Sequence, residues 1–131
     1  MKKIFVNGCF DILHVGHIRL LKYAKSLGDK LIVALDADEH IFKPRRPINR
    51  LSDRVEIVGA LKSVDQVYSF SSEIELEELI KLLNVDILVV GSDWKDKKIV
   101  GLKHVGEVKY FERIPNVSTT ETIYDICYRQ K

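Results

Sequence analysis

Short apolar runs alternate along this chain with stretches of helical spacing, and that alternation leaves few folds open. Residues 3–6, 31–35, 66–70, 86–90 and 107–111 read as strands. Residues 12–27, a stretch from Asp53 to about Lys62, residues 73–83 and a terminal segment after Ser118 read as helices. The first two strand runs are almost wholly apolar, as strands covered on both faces are. Gly28-Asp29 stands where a C-terminal glycine cap would end the first helix. Asp53 followed by Glu56, and Ser118 followed by Glu121, carry the spacing of a capping box. The pattern predicts an α/β fold, a Rossmann-like doubly wound parallel sheet with helices on both faces. With 131 residues, the chain is expected to form a single domain over residues 1–131.

Composition narrows the function classes. Hydrophobic residues make up 46% and charged ones 31%, so disorder is not expected. A net charge of +2 is too small to predict nucleic-acid binding. No apolar stretch approaches the ~20 residues of a membrane span, and no leader is visible. Cys9 and Cys127 form no metal or disulfide pattern. The expectation is a cytoplasmic protein without a membrane partner.

In such sheets ligands bind beyond the carboxyl ends of the strands. Gly8-Cys9, Asp36-Ala37-Asp38, Gly91-Ser92-Asp93 and Arg113 all follow predicted strands and should share one edge. The richest of these places is Asn7-Gly8-Cys9-Phe10-Asp11-Ile12-Leu13-His14-Val15-Gly16-His17. There a strand hands over to a helix whose first amides lack intrahelical partners and favour anions. Two imidazoles at that point suit a phosphate, with Gly16 letting the backbone come close. Zinc suits them less, because no further Cys, His or Glu stands at metal-ligand spacing. Ser118, Thr119 and Thr120 open the last helix and offer hydroxyls together with free amides, which suits further phosphates.

These residues carry a resemblance. Gly-x-Phe-Asp-x-x-His-x-Gly-His at positions 8–17 and Arg113 through Ser118-Thr119-Thr120 resemble the two motifs of the small HxGH-type nucleotidyltransferases of the cytidylyltransferase family. Ile114-Pro115-Asn116 departs from that family's Thr-Glu-Gly, and Pro115 removes an amide donor. The resemblance implies that His14, His17 and Arg113 are catalytic. It implies nucleotide contacts at Gly8, Cys9, Phe10, Asp11, Gly16, Gly91, Asp93, Ser118, Thr119 and Thr120. Lys43, Arg45, Arg46 and Arg54 match positions that hold substrate phosphates, and Asp65 matches a recurrent family aspartate. Mg²⁺ would accompany the nucleotide, and Asp11 would orient an imidazole, help hold that ion, or simply serve a turn. A homodimer is also implied, with Lys62 near the subunit contact.

The expected reaction is in-line attack of an acceptor phosphate on the α-phosphate of a nucleoside triphosphate, with release of pyrophosphate. Two groups of relatives bear on its substrates. Arg113, five residues before Ser118, and Gly91-Ser92-Asp93-Trp94 are similar to glycerol-phosphate cytidylyltransferases. They imply CTP and a small alcohol or sugar phosphate, glycerol 3-phosphate first. Asn7–Asp11, Arg46–Asn49 and Val64–Phe70 are similar to heptose-phosphate adenylyltransferases, and imply ATP with heptose 1-phosphate. With Arg113 given more weight, CTP is the expectation and ATP the alternative. A nucleotide-binding regulatory module without catalysis is the non-enzymatic alternative.

Overall fold

The run Ile4-Phe5-Val6, at most 2% exposed, forms the middle of the sheet. The computed structural model describes residues 1–38, 47–112 and 118–129. Strand β1 (Lys3–Gly8) is followed by α1 (Val15–Ser26), β2 (Lys30–Asp36), α2 (Leu51–Gly59), β3 (Gln66–Phe70), α3 (Glu73–Leu82), β4 (Ile87–Gly91), β5 (Glu107–Phe111) and α4 (Thr119–Tyr128). The five strands lie in the order β3-β2-β1-β4-β5 and every pairing is parallel. β1 pairs with β2 on one side, Val6 opposite Val33, and with β4 on the other, Phe5 opposite Leu88. The strand order therefore reverses at β1/β4, where an open α/β sheet forms its ligand crevice.

Period-two alternation sends neighbouring residues of each strand to opposite faces. Ile4, Val6, Val33 and Val89 pack with Leu21 and Ala24 of α1 and Val58 of α2. Phe5, Ile32, Ala34 and Leu88 pack with Leu76 and Ile80 of α3. Both faces are covered, which is the expected doubly wound architecture. No helix among the described residues is long and apolar enough to cross a membrane.

The helix ends depart from expectation in three places. Helix α1 begins at Val15 rather than at residue 12, because Phe10 (φ 51°) and Ile12 (φ 49°) are left-handed. Gly28 is not a left-handed cap, since Leu27 closes α1 in the right-handed region and Gly101 alone among the described glycines has positive φ. A side chain at Gly28 would instead lie 2.8 Å from the Lys2 carbonyl and from Ile4 Cδ1, so the glycine lets the α1–β2 turn press onto β1. Helix α2 starts at Leu51 with Arg50 as an N-cap that makes no side-chain capping bond, so the Asp53/Glu56 capping box does not form. Asp38 takes part of that role from outside the helix, accepting the Leu51 amide at 3.2 Å. At α4 the Ser118 half of the expected capping box is present, with Ser118 Oγ accepting the Glu121 amide at 3.0 Å.

Candidate active site

The loop from Cys9 to His14 is held in a strained shape by residues far away in sequence. Two left-handed residues without glycine cost roughly 1–3 kcal/mol each, and such strain persists only where the surroundings enforce it. Here the enforcement is visible. Asp11, 3% exposed, accepts the Ile48 amide at 2.6 Å and the Asn49 amide at 2.9 Å on its two carboxylate oxygens. Arg54 donates to the Cys9 carbonyl at 2.9 Å. Thr119 donates its hydroxyl to the Asp11 carbonyl at 2.6 Å, with the Ile12 carbonyl 3.2 Å away.

This loop delivers the histidines to the start of α1. His14 is the N-cap, and its Nδ1 accepts the Gly16 amide at 3.0 Å. His17 Nδ1 in turn accepts the His14 amide at 3.1 Å, a capping box made of two imidazoles. A neutral imidazole has one donor and one acceptor nitrogen. With Nδ1 accepting, each ring carries its proton on Nε2 and presents a donor. The ring centroids are 3.9 Å apart, so the two donors stand side by side. Phe10 packs 5.3 Å from His17 beneath the pair. Burial lowers the His17 pKa to about 4; the charge of His14 adds to this and that of Asp11 opposes it. His17 is thus a neutral hydrogen-bond donor at pH 7, in keeping with its tautomer.

The Thr119 bond also brings a second helix N-terminus, that of α4, against the loop leading into α1. Both helix N-termini carry partial positive charge, and the Thr119 bond brings them to the same edge. On the opposite side of β1 a cavity of about 550 Å³ opens at the strand ends, bordered by Gly8, Asp36, Phe70, Glu73, Gly91 and Trp94. A side chain at Gly8 would press to 3.1 Å from the Phe10 ring. A side chain at Gly91 would come within 2.6 Å of Asp93 Oδ1.

The loop and α1 thus bring together Gly8, Cys9, Phe10, Asp11, His14, Gly16 and His17, and the Thr119 bond adds Ser118, Thr119 and Thr120. Gly91 and Asp93 stand across the switch point at the end of β4. Several assigned roles change. Arg54 has 0% exposure, so it has no surface with which to meet a substrate phosphate. Its guanidinium instead donates to Asn49 O at 3.0 Å, Cys9 O at 2.9 Å and Asp38 Oδ1 at 2.6 Å. Phe10, 5% exposed, belongs to the apolar core rather than to a nucleotide surface. The Thr119 hydroxyl is directed at backbone carbonyls rather than outward. Asp11 has both oxygens on backbone amides, which leaves it unsuited to hold Mg²⁺. Among the described residues no group of three or more His, Cys, Asp or Glu could hold a metal ion. Asp65 is structural, accepting Leu31 N and Lys25 Nζ at 2.7 Å each. Arg113, Lys43, Arg45 and Arg46 lie outside the described residues.

The strand-end rule placed Asp36 at this edge, but sequence reasoning missed Phe70 and Glu73 as cavity walls. The rule that ligands sit past strand ends, extended to β3, would have pointed to Phe70 and Glu73.

A parallel sheet whose switch point carries paired imidazole donors beside two helix N-termini defines an α/β protein built to handle nucleotide phosphates. The chain belongs to the cytidylyltransferase-like family of nucleotidyltransferases, whose model matches residues 5–123. It is 43% identical over 128 residues to the bifunctional protein HldE of Sulfurimonas denitrificans, covering 95% of this chain and 27% of that protein. It is 45% identical over 126 residues to the bifunctional protein HldE of Campylobacter fetus subsp. fetus, covering 94% and 27%. The chain thus spans about a quarter of the length of these relatives, 27% in both cases. Among solved structures, the lipopolysaccharide core biosynthesis protein from Thermoplasma volcanium superposes with a TM-score of 0.75 at 29% identity, over 87% of this chain and 98% of that one. Pantoate-beta-alanine ligase from Francisella tularensis shares the fold, with a TM-score of 0.57 at 18% identity over 99% of this chain and 72% of that one.

Proposed function

We propose that this domain transfers the adenylyl group of ATP to a sugar 1-phosphate, heptose 1-phosphate in particular, and releases pyrophosphate. The observation that carries the transfer chemistry is the locked His14–His17 pair, with both Nδ1 atoms accepting amides and both protons on Nε2. An oxygen of the acceptor phosphate attacks the α-phosphorus of ATP. The new P–O bond forms as the bond to the bridging oxygen breaks, and pyrophosphate leaves with that electron pair. The acceptor phosphate is already an anion, so no general base is required. Charge grows on the equatorial and leaving oxygens, where the two Nε2–H donors and the N-termini of α1 and α4 stabilise it. Because these donors are fixed before substrate arrives, little reorganisation accompanies the reaction. Mg²⁺ enters this reading only as the ion carried by the nucleotide's phosphates.

Three observations favour ATP and a sugar over CTP and glycerol 3-phosphate. Relatives matching over nearly all of this chain bear the name bifunctional protein HldE, at 43% and 45% identity. Three stretches, Asn7–Asp11, Arg46–Asn49 and Val64–Phe70, resemble heptose-phosphate adenylyltransferases. The structural neighbour at 29% identity bears the name lipopolysaccharide core biosynthesis protein, in keeping with a sugar substrate. Arg113, which with Gly91-Ser92-Asp93-Trp94 carried the CTP expectation, lies outside the described residues. We assign the acceptor to the 550 Å³ cavity, where Trp94 offers an apolar face and Asp36 and Glu73 offer acceptors for sugar hydroxyls. The homodimer implied by the resemblance belongs to the same reading, and light scattering tests it. Pyrophosphate release with ATP and heptose 1-phosphate, followed by identification of an ADP-sugar product, tests the function itself. Absence of turnover with bound nucleotide would support a regulatory module instead.

A further inference from the structure

The two halves of the candidate site are separated by about a hundred residues, yet one hydroxyl joins them. Thr119 is the first residue of α4, and its Oγ1 lies 2.6 Å from the Asp11 carbonyl and 3.2 Å from that of Ile12. These carbonyls belong to the strained turn in which Phe10 and Ile12 are left-handed, immediately before the His14 cap. A hydroxyl has a single hydrogen, so the shorter bond dominates and the second carbonyl shares it. Arg54 holds the Cys9 carbonyl, two residues before that of Asp11, from α2. Three successive elements of the loop are thereby fixed from α2, α4 and the 48–49 backbone.

We propose that Thr119 is a positioning residue whose hydroxyl holds the Asp11–Ile12 turn in the shape that lets His14 and His17 cap one another. The histidines depend on that shape. His14 caps α1 through its own side chain and offers its backbone amide to His17, so a change in backbone direction at Ile12 disturbs both bonds together. Loss of the His17 acceptor bond frees Nδ1 to carry the proton, and the Nε2 donor disappears from that ring. The bond has a further consequence for the site as a whole. It fixes the N-terminus of α4 to the turn that precedes α1, so the two phosphate-directed helix ends keep one separation. Thr119 thus acts through the histidines rather than through a substrate contact of its own hydroxyl. Its catalytic consequence rests on the adenylyl-transfer reading, whereas its effect on the imidazoles does not.

The test is imidazole ¹⁵N NMR on the ligand-free protein, comparing wild type with Thr119→Val and Thr119→Ser. Val keeps the shape of the side chain and removes the hydroxyl, while Ser keeps the hydroxyl. Wild type and Thr119→Ser should show the Nε2–H tautomer at both rings, and Thr119→Val should show a mixture that includes Nδ1–H. Circular dichroism and thermal melting, with Thr119→Ala as a second hydroxyl-free variant, report whether the fold is retained. A folded Thr119→Val or Thr119→Ala protein with wild-type tautomers would overturn the proposal. So would failure of both to fold, because the role assigned is local to the turn. Turnover provides a separate arm. Thr119→Val should lower kcat roughly tenfold to a hundredfold with the nucleotide KM nearly unchanged, the scale expected of misplaced groups. Tautomers that shift in a protein without transferase activity would keep the positioning role and remove only the reaction.

Discussion

His17 Nδ1 accepts the backbone amide of His14 at 3.1 Å, and that bond fixes which nitrogen of His17 faces substrate. The imidazole is both a cap of its own helix and a donor to the site. Replacing His17 or His14 by Ala should therefore lower kcat by at least about a hundredfold, the scale of losing one transition-state donor. The cost in stability should be smaller, about 1 kcal/mol for a lost N-cap. Steady-state kinetics beside urea unfolding separates the two effects. Wild-type turnover in a folded variant would remove that histidine from the chemistry.

The same burial makes stability depend on pH. His17 has a pKa of about 4 in the folded protein, against 6.5 in the unfolded chain. Between those values the unfolded chain binds the proton and the native one does not. Stability is then complete above about pH 6.5 and falls as the pH drops toward 4, by up to about 3 kcal/mol. Asp65, whose pKa is lowered by its bonds to Leu31 and Lys25, stabilises the fold above its ordinary pKa of 3.8 and loses that contribution only at lower pH. A His17→Gln protein should show a flatter urea midpoint between pH 6.5 and 4 than wild type. An equal slope in both would refute the assignment.

Arg54 separates what the sequence made legible from what it did not. The alternation of apolar runs was enough to place five strands, and the strand-end rule brought the Gly8 and Gly91 regions to one edge. The family resemblance implies a phosphate contact for the Arg54 guanidinium, which has no exposed surface to make one. Its acceptors come from three separate segments, at Cys9, Asp38 and Asn49, and no local pattern reveals such a meeting. Ile12 and Leu13 misled in a similar way. They continue the helical spacing of α1, yet the turn there is imposed by Thr119, 107 residues beyond Ile12. Capping of α2 by Asp38 was hidden for the same reason.

Arg54→Ala should therefore behave as a core substitution. It leaves the Cys9 and Asn49 carbonyls without that donor and removes one partner of the part-exposed Asp38, at about 1–3 kcal/mol for each buried acceptor left unsatisfied. Urea unfolding should show the drop. A protein of normal stability with a raised acceptor KM would restore Arg54 to the substrate.

Trp94 offers the complementary test of the acceptor cavity. It is 46% exposed, so its removal should barely affect folding. Trp94→Ala should raise the KM for the acceptor several-fold and leave that for ATP close to wild type. Equal changes in both would place the acceptor elsewhere.

The central claim is tested most directly by a pyrophosphate-release matrix that crosses ATP and CTP with heptose 1-phosphate and glycerol 3-phosphate. The account predicts the highest kcat/KM for ATP with heptose 1-phosphate, and an ADP-sugar as product. A clear preference for CTP with glycerol 3-phosphate would contradict it and return the assignment to a cytidylyl transfer.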